Sequence, residues 1–148
     1  MQLGYKLSEA SWDEPDRFAT ATVTDLRYRI ALGDVILKAG GVDLSAHWGW
    51  IPLIDFVVGV RDLVRSLKTD GSEEEFEFTE SDAVLRFRRK ASKLAISASY
   101  ANGEAVVPIP TVIEHLKKFE DDLRVELLTR YPELRRNPHF RKLMGVAE

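Results

Sequence analysis

The sequence predicts an α+β fold in which an antiparallel sheet of about six strands carries two main helices on one face. Short segments alternate apolar and polar residues, which is typical of half-buried strands. Two longer segments repeat apolar residues every three or four positions, which is typical of amphipathic helices. An Ile-Pro step precedes each helix, at 51–52 and 109–110, and proline suits a first helical turn because its missing N–H would have no partner there. We therefore expect the order βββα-βββα.

The first half of the chain, residues 1–68, is predicted to begin with an irregular N-terminal arm over 1–18, where polar residues are frequent. A first strand follows, because the apolar residues in this stretch come at every second position. They are Leu26, Tyr28, Ile30 and Leu32. Turns at 33–34 and 40–41 then lead into strands over 35–38 and 42–48.

The first helix is predicted from the Pro52 step to about Lys68. Its broad apolar face should cover the sheet. Ile51, Ile54 and Val58 fall on the opposite, otherwise polar side. We therefore expect either another segment of this chain or a second chain to bury them.

The second half, residues 69–131, repeats the plan with Phe76 and Phe78 facing inward on its first strand. Two further strands follow over 85–88 and 94–100, and acidic and basic outward side chains on adjacent strands are placed to pair. A longer helix runs to about Tyr131, where Pro132 ends it. In the 132–148 extension, Asn137 precedes Pro138 as an N-cap, which predicts a short helix to about Met144. The whole chain, 1–148, is expected to be one domain.

Composition excludes several classes of function. The chain has 148 residues, a formal net charge of −3 and no cysteine, so disulfide and thiolate chemistry are excluded, and the acidic balance argues against binding nucleic acid through the whole surface. We expect a protein of the cytoplasm, because no apolar run approaches the length of a membrane span and the start lacks the apolar core of a signal peptide. No cofactor is expected.

The stretch 47–52, His-Trp-Gly-Trp-Ile-Pro, is the most unusual in the chain. It has two interpretations: a binding corner in which His47, Trp48 and Trp50 surround a glycine, or a strand end in which the tryptophans only pack. The packing interpretation is the simpler one. Asp55 lies one turn into the helix, where it is either a general base near His47 or a carboxylate stabilised by the helix dipole.

Catalytic and metal-binding motifs are not found. The three histidines, His47, His115 and His139, come from separate predicted elements, and none shows the His-Glu-x-x-His spacing that places two imidazoles on one helical face. The sequence therefore predicts no catalytic residue and no metal ligand.

Two stretches, 42–50 and 76–82, resemble segments of small uncharacterised bacterial proteins of unknown function. This resemblance implies no activity. In size, acidic balance and lack of an active-site motif, the chain is also similar to the immunity proteins that neutralise bacterial toxins. That similarity implies a protein that works by binding another protein.

Three hypotheses follow. The first is a non-catalytic protein-binding module, such as an immunity protein, with an outer strand face and an apolar patch as its surface. The residues of that surface are Asp25, Arg27, Arg29, Asp43, His47, Ile51, Ile54 and Val58. The second is a small-molecule-binding domain or weak enzyme centred on His47, Trp50 and Asp55. The third is a structural module that buries Ile54 and Val58 in a homodimer.

Overall fold

Two four-stranded antiparallel sheets and two long helices make up the protein in a computed structural model that describes residues 1–8 and 18–146. The first sheet contains β1 (Gln2–Leu7), β2 (Leu32–Ala39), β3 (Val42–Asp43) and β4 (Ala46–Pro52). The second contains β5 (Glu73–Glu77), β6 (Val84–Lys90), β7 (Lys93–Ala98) and β8 (Ala101–Pro108). The helices are α1 (Val23–Asp25), α2 (Leu53–Ser66), α3 (Ile109–Arg130) and α4 (Pro138–Met144). The α+β class and the antiparallel pairing are confirmed, whereas the single six-stranded sheet and the βββα-βββα order are wrong.

In the first sheet β2 is central, with β1 on one side and β3 and β4 on the other. The N-terminal arm predicted over 1–18 is therefore partly wrong, because β1 pairs with β2 along its whole length, from Gln2 opposite Lys38 to Leu7 opposite Gly33. Residues 9–17 of that arm lie outside the described residues. Gly33 permits this pairing, because a Cβ there would overlap the carbonyl oxygen of Lys6.

The strand predicted over 26–32 is helical in the structure up to Ile30. Thr22 and Asp25 form a capping box that starts α1, and the chain continues as a π-helix over Leu26–Ile30. Leu26 and Ile30, four residues apart, are buried, but Tyr28 between them is 38% exposed. The burial therefore follows the spacing of a helix, although the apolar residues also matched the period of two that is typical of strands.

The second sheet is a meander in the order β5-β6-β7-β8. Its predicted inward residues are confirmed, since Phe76, Phe78, Leu85 and Phe87 are all buried. The predicted cross-strand pairing is also present, with Arg86 Nη2 2.7 Å from Glu75 Oε1. β8, which adds a fourth strand to this half, was not predicted from the sequence.

The two long helices pack on each other and on both sheets, α2 against β2, β4 and β5, and α3 against β1 and β8. The π-helix packs across the first turns of α2. Ile54 and Val58 are consequently buried, at 0% and 3% exposure, as is Ile51. The prediction that these three side chains form a surface patch is therefore wrong. The prediction that Ile54 and Val58 are buried in a homodimer is also wrong, because another segment of the same chain covers them.

The two sheets meet where β3 lies against β8. The Tyr100 hydroxyl donates a hydrogen bond of 2.7 Å to the Leu44 carbonyl oxygen across this junction. One hydrophobic core contains residues of both halves.

The C-terminal segment returns to the beginning of the chain. Asn137 caps α4 as predicted, accepting from the backbone N–H groups of His139 and Phe140. Its side-chain amide also donates to the carbonyl oxygens of Phe18 and Ala21, at 2.8 and 3.0 Å. All four hydrogen-bonding positions of this buried amide are therefore satisfied, and the segment that leads into α1 is fixed to the far end of the chain.

Candidate functional site

An open cleft of about 470 Å³ lies between two connections, the one that carries α1 and the π-helix into β2 and the loop that joins β5 to β6. The end of β4 forms its floor. The residues that line it are Thr24, Tyr28, Arg29, Leu32, Trp50, Pro52, Thr79 and Glu80.

Aromatic side chains form one wall of the cleft. Trp50 is 41% exposed, and its ring stacks on Trp48 with centroids 5.3 Å apart and planes inclined by 17°. Trp48 is in turn held by edge contacts to Phe78 and Tyr100, at 5.2 and 5.0 Å. Trp50 is thus supported from behind by packed rings. Its indole N–H has no hydrogen-bond partner within the described ranges, 1–8 and 18–146.

A partly buried ion pair lies beside the cleft. Arg27 on the π-helix donates from Nε and Nη2 to Oδ1 of Asp55, at 3.0 and 2.8 Å, and Thr79 Oγ1 donates to the other carboxylate oxygen at 3.3 Å. Asp55, in the first turn of α2, is only 7% exposed. A buried carboxylate is costly without hydrogen-bonding or charged partners. The contacts of Asp55 with Arg27 and Thr79 therefore hold the π-helix and the β5–β6 loop against α2.

Arg29 extends from the same π-helix into solvent. Its side chain is 72% exposed, with Nη1 3.7 Å from Oδ1 of Asp25 one helical turn away. The guanidinium of Arg27 lies 6.0 Å from the centre of the Tyr28 ring, within the range of a cation–π contact. Both arginines beside the cleft therefore have an acidic partner within the chain.

Glu80 lies on the opposite wall, in the β5–β6 loop. It is exposed and adopts a φ of 60°, a left-handed conformation that is uncommon for residues other than glycine. Its carboxylate has no ion-pair or hydrogen-bond partner among the residues that the structure describes. Non-glycine residues in this conformation cluster at functional sites.

The predicted binding residues divide into three groups. Trp50 and Arg29 line the cleft. Trp48, Arg27 and Asp55 lie behind or beside it and hold its walls in place.

The remaining predicted residues lie elsewhere. Ile54 and Val58 are in the core. His47 is exposed, with Nδ1 3.8 Å from Oδ2 of Asp34, so it has a different acidic neighbour from the predicted Asp55. Asp43 lies beside Lys38 on the first sheet, where hydrogen bonds from Ser45 lower the pKa of its carboxyl group. The strand face that was to unite Asp43 with Arg27 and Arg29 does not form, because the two arginines are on the π-helix.

Tyr28, Thr79 and Glu80 were missed by sequence reasoning. Tyr28 was assigned to the core of a strand, although the spacing of Thr22 and Asp25 is close to that of a capping box and signals a helix start. No sequence signal distinguishes Glu80 from an ordinary residue of a polar turn.

Two further observations concern metal ligands and membrane-spanning helices. In the described ranges, no group of three or more His, Cys, Asp or Glu side chains is arranged to hold a metal ion. None of the helices there is both long enough and apolar enough to cross a membrane.

The comparisons with known proteins return nothing that names this fold or this cleft. No protein-family model, curated protein or solved structure matches the chain.

Proposed function

We propose that this protein is a binding module that recognises another protein through the cleft around Trp50. The observation that carries the proposal is the common exposure of Tyr28, Arg29 and Trp50 around one open cleft. Trp, Tyr and Arg are the residue types most enriched at the energetic centres of protein interfaces. Trp50 is held by its stacking on Trp48, so this central side chain would lose little conformational freedom when a partner binds.

The shape of the cleft favours a protein partner over a small molecule. Small-molecule sites usually bury most of the ligand surface within a concave, largely apolar pocket. This cleft is open, and its rim carries Arg29 and Glu80. Charged rims around an aromatic centre are typical of interfaces, in which the rim sets orientation and on-rate while the aromatic residues supply buried contact.

The small-molecule and enzyme alternative has less support. It needs His47 and Asp55 to act together at one site, but Asp55 is engaged by Arg27 and Thr79, and neither His47 nor Asp55 lines the cleft. Self-association through Ile54 and Val58 loses its surface, because both are buried.

The proposal is tested by using the full chain as bait for its partner, reconstituting the complex from the two purified proteins and measuring affinity by calorimetry. Trp50→Ala should weaken binding about 30-fold, or ~2 kcal/mol, because it removes a central aromatic contact. Arg29→Ala should weaken binding about fivefold, because it removes an exposed side chain that adds contact area at the edge of the cleft.

Val125→Ala is the matched control, since Val125 is an exposed apolar side chain on α3 that does not line the cleft. Equal affinities for Trp50→Ala and Val125→Ala would rule out the cleft as the interface. The narrower hypothesis of a toxin-neutralising immunity protein predicts in addition that the partner is an enzyme and that one molar equivalent of this chain abolishes its activity.

A further inference from the structure

We propose that the cleft selects an arginine side chain of the partner, which stacks on Trp50 and pairs with Glu80. This inference rests on the proposed function, because it names the chemistry that the protein-binding cleft would recognise. It is carried by three features of the cleft: the position of the Trp50 ring, the pairing of the charges already present, and the unpaired carboxylate on the opposite wall.

The first of these features is the Trp50 ring. Trp48 covers one face of Trp50, and the exposed surface of Trp50 opens into the cleft. No ring other than Trp48 stacks on Trp50 in the described part of the chain. Within the residues that the structure describes, a planar group from a partner can therefore stack on the exposed part of this ring without displacing another aromatic side chain. The faces of tryptophan rings attract cations, and guanidinium is the usual biological partner.

The second feature is the pairing of the charged side chains at the cleft. Arg27 is neutralised by Asp55, and Arg29 has Asp25 beside it. Glu80 has no such partner in the described ranges, and the neighbouring Asp82 is likewise exposed and unpaired there. The charge left without a partner at the cleft is thus negative. Charge complementarity favours a basic group on the incoming protein.

Arginine fits Trp50 and Glu80 together better than other residue types do. A lysine ammonium could pair with Glu80 and make a cation–π contact, but it has no planar surface to lie flat on the indole. A partner aromatic ring could stack on Trp50 but would leave Glu80 unpaired. A guanidinium does both, because it is planar and presents several N–H donors in a fork that matches a carboxylate. An acidic side chain would meet Glu80 with the same sign of charge.

The test uses the ¹⁵N-labelled full chain and four blocked amino acids as probes: the N-acetyl amides of arginine, lysine, glutamate and leucine. The indole N–H signal of Trp50, assigned by its absence in Trp50→Phe, is followed during titration. We expect the arginine probe to shift this signal with a Kd on the order of 10 mM. The lysine probe should bind more weakly, and the glutamate and leucine probes should cause no saturable shift.

Glu80→Gln should weaken the arginine probe about three- to fivefold. Glu114→Gln is the matched control, because it removes the same charge from an exposed position on α3 outside the cleft. This substitution should leave binding of the arginine probe unchanged. Saturable binding of the glutamate probe, or an arginine response that is the same in Glu80→Gln, would overturn the inference. The proposed function fails separately, if the bait experiment yields no partner sensitive to Trp50→Ala while the arginine response is intact.

Discussion

The two halves of the chain are built from similar parts, four antiparallel strands and a long helix, but they differ in strand order and in one connection. Each half places antiparallel strands before a long helix that begins next to a proline, α2 in the first half and α3 in the second. A short loop joins β5 to β6, whereas the equivalent connection from β1 to β2 contains α1 and the π-helix. These two connections face each other across the cleft. The candidate site therefore combines Trp50, from the end of β4, with the two connections in which the halves differ, as is usual for loops on a rigid scaffold.

Removing the charge that ties these connections together should have the largest effect on stability. Arg27→Ala leaves the Asp55 carboxylate buried with Thr79 as its remaining side-chain partner. We expect the free energy of unfolding to fall by about 3 kcal/mol, because an unpaired buried charge is strongly destabilising. Urea denaturation followed by tryptophan fluorescence measures this.

Arg29→Ala is the control for that experiment, since it removes the same side chain from the same π-helix at an exposed position. It should change stability by no more than about 0.5 kcal/mol. A similar loss in both variants would mean that the ion pair does not anchor the π-helix to the second half.

The second prediction concerns the close approach of β1 and β2, which belongs to the first half. Gly33→Ala should cost about 2–3 kcal/mol, because the new methyl group overlaps the backbone of Lys6 and forces the strands apart. Gly4→Ala, on the paired strand, has nothing within 4 Å of the added Cβ and should lie within about 0.5 kcal/mol of the parent. Thermal unfolding of both variants compares them, and equal melting temperatures would contradict the close packing.

The smallest effect is expected where the two sheets meet. Tyr100→Phe removes the hydrogen bond to Leu44 and should cost about 1 kcal/mol at neutral pH. Burial raises the pKa of Tyr100 above its ordinary value. The unfolded chain therefore releases this proton first, and the stability of the folded protein should decrease as the pH rises above about 10.

Unfolding measured between about pH 9 and pH 11 should show a shallower loss of stability in Tyr100→Phe than in the parent, because the variant lacks this ionisable group. Tyr5, whose pKa is also raised, chiefly by burial and its hydrogen bond to Glu126, is unchanged in this variant and keeps its own contribution. Identical pH profiles would show that Tyr100 is not buried at the junction.

The regular half was the easier one to predict from the sequence. Phe76, Phe78, Leu85 and Phe87 alternate cleanly because one face of the second sheet is buried and the other is solvated. The same physical cause made α3 predictable, since it buries one stripe of side chains, whereas α4 was predicted from its Asn137 cap and the proline that follows.

The first half was mispredicted where two periods coincide. Apolar residues at 26, 28, 30 and 32 satisfy a strand, yet positions 26 and 30 alone satisfy a helix. Only tertiary packing against α2 decides between them, and packing routinely overrides local pattern. Trp50 was found because two tryptophans around a glycine are unusual, whereas Arg29 was found on a wrong premise, as part of the outer face of a strand that is a π-helix in the structure. Glu80 was not found as a site residue. It stands out because its carboxylate has no partner among the described residues and its backbone is left-handed, and the local sequence reveals neither property.

Asn137 has a consequence for the order in which this molecule can be completed during synthesis. Its amide supplies hydrogen bonds to the carbonyl groups of Phe18 and Ala21 across 119 and 116 positions of the chain. A nascent chain in which α3 has formed but Asn137 is still inside the ribosome lacks those donors. The segment that leads into α1 should then become ordered only after Asn137 has emerged from the ribosome and can supply those hydrogen bonds.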